Sequence, residues 1–126
     1  MPALTLLALA AVPADGATAQ GLPPEPTVTA KAQSDGDIAV TITTNTADMQ
    51  IGCSGVLGTP DARYGRGVVV NPLPVGTTSI VIHPNARTKR TLRKRSVTVA
   101  INCRFSFPGA DEAGETGPTI KVPRLR

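Results

Sequence analysis

The sequence predicts an all-β domain, an immunoglobulin-like or fibronectin-type antiparallel β-sandwich of about seven strands with one disulfide. Three observations carry that prediction. Val97, Val99, Ile101, Cys103, Phe105 and Phe107 fall at every second position, with Thr98, Ala100, Asn102, Arg104 and Ser106 between them. Such a period of two marks a strand with one buried face. The 126 residues include twelve Gly and twelve Pro but no Trp, one Tyr and two Phe. Gly and Pro interrupt helices, and the many Val and Thr favour strands. Finally, shorter alternating runs recur with turn residues between them, as a sandwich requires. The length suits one domain. With so few rings, the core must rest on Val, Ile, Leu and Met, and a modest core gains from a covalent staple.

In chain order, residues 1–19 read as a signal peptide. Ala3 to Val12 is almost wholly small and apolar, Pro13 ends the run, and Ala17-Thr18-Ala19 supplies the small-x-small cleavage pattern before Gln20. The apolar run is too short for a membrane span, so no integral span is expected in the mature chain. Residues 20–26 hold three prolines and form an extended tether ahead of a sandwich domain over 27–123. Val28, Ala30 and Ala32 alternate with polar residues, and Ser34-Asp35-Gly36-Asp37 turns the chain into Ile38, Val40 and Ile42, a hairpin signature. That acidic turn lacks the further loop ligands of an EF-hand, so no metal is expected there.

A second turn at Asn45 to Asp48 leads to Met49, Ile51 and Cys53, which share one parity. Cys53 and Cys103 both fall on apolar faces, and in an exported chain two such cysteines read as a disulfide. With one distant histidine they make no zinc site, and no Cys-x-x-Cys suggests redox catalysis. Gly58 to Gly67 reads as an irregular connection. Its Arg63-Tyr64-Gly65-Arg66-Gly67 run resembles single-stranded nucleic-acid-binding tracts, but a single copy reads as a loop. Short strands follow at Val68 to Val70, stopped by Asn71-Pro72, and around Ile80 and Ile82. His83 has no nucleophile or carboxylate at motif spacing, so no catalytic residue and no cofactor are expected. The seven strands fall near 27–33, 37–44, 48–54, 67–71, 77–83, 96–107 and 118–122.

The formal net charge is +4, from thirteen basic and nine acidic residues. Six of those thirteen are Arg87, Lys89, Arg90, Arg93, Lys94 and Arg95, and the seven basic residues elsewhere are outnumbered by the acidic ones. The chain is a mildly acidic body with one concentrated cationic segment, read as a solvated loop between two strands. Those six residues are the candidate anion-binding site. The segment is too polar for an amphipathic membrane helix and has no aromatic for base stacking, which disfavours nucleic acid. Asp111, Glu112 and Glu115 form an acidic loop beyond the long strand. Eleven strand residues span about 35 Å, which sets the two charged loops at opposite ends.

The run from Asp37 to Cys53, an alternating strand, an Asn-Thr turn and a Cys-bearing strand, resembles small exported immunoglobulin-like β-sandwich proteins of actinobacteria. Unlike antibody domains, this chain puts its cysteines on the third and sixth strands, lacks a core Trp, and has Ile101 two residues before the second cysteine. The expectation is a secreted or cell-envelope, non-enzymatic interaction or structural module. The alternative is a protein that uses residues 87–95 to contact envelope polymer, acidic lipid or nucleic acid. Its partner would be an unidentified protein or an anionic envelope component.

Overall fold

A computed structural model describes residues 25–58, 62–109 and 113–126. The signal peptide and most of the tether lie outside the described residues, as do Asp61, Asp111 and Glu112. Among the described residues, eight strands and one helix follow in order: β1 (Thr27–Ala32), β2 (Ile38–Thr44), β3 (Met49–Val56), β4 (Val68–Leu73), β5 (Gly76–Ile82), α1 (Ala86–Leu92), β6 (Val97–Ser106), β7 (Ala113–Thr116) and β8 (Thr119–Val122).

The strands form two antiparallel sheets. One has the order β1-β2-β5; the other runs β8-β6-β3-β4, with β7 also paired to β6. Every pairing is antiparallel. The first, second and fifth strands thus face the third, fourth and sixth, giving the expected all-β sandwich. Alternation decides what lies between the sheets: Ile38, Val40 and Ile42 of β2, Met49, Ile51 and Cys53 of β3, and Val99, Ile101, Cys103 and Phe105 of β6 are all buried. Cys53 and Cys103 stand opposite one another in the β3–β6 register and are joined as a disulfide. The staple therefore links neighbours within one sheet, on its inner face.

The first hairpin forms where Asp35-Gly36 stands. Gln33 N–H donates to Asp37 O at 2.8 Å, Asp37 N–H donates to the Asp35 carboxylate at 2.9 Å, and Gly36 takes φ +91°. A side chain is strained at that angle, which explains the glycine.

Four expectations are corrected. The cationic segment is not a plain loop, because residues 86–92 coil into α1. Glu115 does not lie in an acidic loop: it sits in an eighth strand, β7, opposite Arg104 of β6. β7 and β8 run along one edge of β6 and are separated at Gly117, where φ is +155° and an added Cβ would lie 2.0 Å from Ile101 O. The fourth strand continues through a cis Asn71–Pro72 bond to Leu73, where the sequence predicts a stop. Finally, the core includes a large ring, since Tyr64 is completely buried. Its hydroxyl donates to Gly36 O, tying the connection after β3 to the first hairpin.

Candidate anion-binding surface

α1 exists because its flanks supply what seven residues cannot. Asn85 caps it, with its side-chain oxygen accepting from Thr88 N–H at 2.8 Å, which satisfies one of the free amides of the first turn. The Asn85 amide nitrogen donates to Arg63 O at 3.0 Å and its backbone N–H donates to Tyr64 O at 2.8 Å, so the cap also ties the helix to the 62–66 segment. Gly65 permits this approach: a Cβ there would lie 1.7 Å from His83 O. The Arg-Tyr-Gly-Arg-Gly run is therefore explained by packing, with Tyr64 in the core and Gly65 under the helix entry.

Thr88 and Leu92, four residues apart, share one helix face and are buried. At the far end, Leu92 O accepts from Leu125 N–H at 2.8 Å, so the C-terminal segment clamps the last turn. Lys89 and Arg90 lie in that turn, where positive charge complements the helix dipole. With Thr88 and Leu92 turned inward, Arg87, Lys89, Arg90, Arg93, Lys94 and Arg95 are all exposed. All six predicted residues are thus brought together around one short helix.

Three open depressions border this helix. One, of about 710 Å³, is lined by Arg63, Arg87 and Arg95 together with Thr88, Thr91 and Val97. A second, of about 700 Å³, is lined by Thr91 and the cations Arg87, Arg90, Arg93, Lys94 and Arg95. The third, of about 690 Å³, adds Lys89, Arg124 and Arg126 to Arg93 and also contains Asp35. Among the described residues, no carboxylate lies within ion-pair distance of any of these arginines or lysines. Arg63, Arg124 and Arg126 are far from the cationic run in sequence; Arg63 belongs to the Arg-Tyr-Gly-Arg-Gly run read above as a loop, and no local pattern pointed to Arg124 or Arg126. Neither a known protein family, a curated protein nor a solved structure matches this chain.

His83 Nδ1 and Asp37 Oδ1 are hydrogen-bonded at 2.9 Å, and among the described residues no Lys or Arg is paired with a carboxylate. That hydrogen bond connects the segment after β5 to the first hairpin, with the imidazole mostly exposed. Among the described residues, no group of three or more His, Cys, Asp or Glu side chains is placed to hold a metal ion. No helix among them is long and apolar enough to cross a membrane.

Proposed function

We propose that this chain is an exported, non-enzymatic β-sandwich module of the cell envelope or extracellular space that holds an anionic partner on the surface around α1. One observation carries the reading: six exposed cations, three on a capped helix and three in the turn that ends it, have no described carboxylate within ion-pair distance. Unneutralised like charges held close together repel one another, and an incoming anion relieves that repulsion. A disulfide is compatible with an oxidising, extracytoplasmic location. The rest of the sandwich serves as a scaffold, which on its own specifies no partner.

A salt titration tests this. The chain should bind long-chain polyphosphate at low ionic strength, lose affinity steeply between 50 and 200 mM salt as exposed charges are screened, and lose at least about tenfold when Arg93, Lys94 and Arg95 are all replaced by Ser. Binding indifferent both to salt and to that triple replacement would sink the reading.

A further inference from the structure

We infer that the cations around α1 form one continuous track for a linear phosphate polymer without bases, lying along several depressions at once, and not a socket for one compact anion. The inference rests on the anion-binding reading above and specifies its ligand.

The three depressions are contiguous through shared walls. The first and second have Arg87, Thr91 and Arg95 in common, and the second and third share Arg93. Charge is thus distributed around the helix, from Arg63 on one side to Lys89 and Arg124 on the other. A helix of seven residues is only about 10 Å long, so a ligand that meets both sides must bend around it.

A socket for a single phosphate would gather several donors on one point and shield them from water. Here all the cations are exposed and all three depressions are open. Affinity on such a surface comes from the number of phosphates neutralised and the counterions released, which favours a chain of repeating charge.

The aromatic inventory argues against bases. Tyr64 is buried in the core, Phe105 and Phe107 pack edge to face at the opposite end of β6, and no Trp exists. Among the described residues no exposed Phe, Tyr or Trp lies around α1, and the single exposed imidazole of His83 is held by Asp37, so no succession of rings is available on which consecutive bases could stack.

The test uses the Lys89→Ser/Arg124→Ser double variant, whose positions are exposed and distinct from the three replaced in the salt titration above. Wild type should bind long-chain polyphosphate far more tightly, at equal phosphate concentration, than triphosphate or inorganic phosphate. The double variant should reduce the slope of log K against log salt by about 1.4, roughly 0.7 for each lost contact to a flexible chain. Thermal unfolding of the variant should fall only a few degrees below wild type, about what loss of one helix-dipole contact and of helix propensity at residue 89 costs, so the fold persists at the binding temperature.

Triphosphate binding as well as the polymer, or an unchanged slope in the double variant, overturns the track while leaving anion binding intact. Tighter binding of single-stranded DNA than of polyphosphate of equal charge overturns the base-free ligand. Binding only to vesicles containing acidic phospholipid overturns the polymer. Absence of binding to every anion removes this inference together with the reading beneath it.

Discussion

Tyr64 shows how much one side chain carries in this domain. Its ring fills the core, its backbone N–H donates to Gly55 O at 3.0 Å, and its hydroxyl donates to Gly36 O. Burial first, then the negative charges of Asp37 and Asp35, push the phenol up from 10 to about 12. The neutral form is therefore favoured in the folded chain. Its stabilising effect is fully present below pH 10 and is lost as pH rises through 12, because the unfolded chain gives up the proton first. Tyr64→Phe should cost about 1 kcal/mol at pH 7 by stranding the Gly36 carbonyl. It should also flatten the alkaline loss of stability that wild type shows between pH 10 and 12, read as urea midpoints. Nothing in the sequence singles this residue out. A lone aromatic between arginines and glycines looks like a surface loop, and its burial depends on the first hairpin, some twenty-eight residues earlier, supplying an acceptor.

At the scale of elements, alternation was legible wherever one face of a strand is buried and the other is wet, as in β2, β3 and β6. β7 escaped because Ala113, Gly114, Glu115 and Thr116 bury little and have no apolar face to betray them; Gly114 is there because a Cβ would lie 2.4 Å from the Phe105 ring. α1 escaped for a related reason. Its buried stripe is only Thr88 and Leu92, and seven residues, three of them cations, are too few for helical periodicity to show. The cap was nonetheless visible in hindsight, as Pro84-Asn85 before a run of good helix formers. The parity of Cys53 and Cys103 was fully readable, and the structure pairs them. Their separation of 50 residues sets the strength of that link. On the chain-entropy account, closing such a loop stabilises the fold by about 4 kcal/mol. Replacing both cysteines with Ala should lower the urea midpoint accordingly, and adding reductant should move wild type to the same value while leaving the variant unchanged.

For the whole molecule, the sandwich class followed from composition and rhythm, whereas the extent of the charged surface did not. Arg63, Arg124 and Arg126 join the predicted six only once the chain has folded its connection after β3 and its C-terminal segment against α1. Export remains a proposal at this scale. It predicts that protein recovered from the source cell's exterior begins at Gln20 and weighs two hydrogens less than the reduced chain, both read from one intact mass. Recovery of a chain that keeps Met1 and both thiols would count against it. The position of the covalent bond has a mechanical consequence for a protein held at one end and gripped elsewhere. Tension applied through the two termini can draw out only the strands before Cys53 and after Cys103. The load path then crosses directly between the two sulfurs and bypasses β4, β5 and α1. α1 itself would carry no tension, and its exposure to the pull would come only through loss of the Leu125 clamp on its last turn as the outer strands were pulled straight.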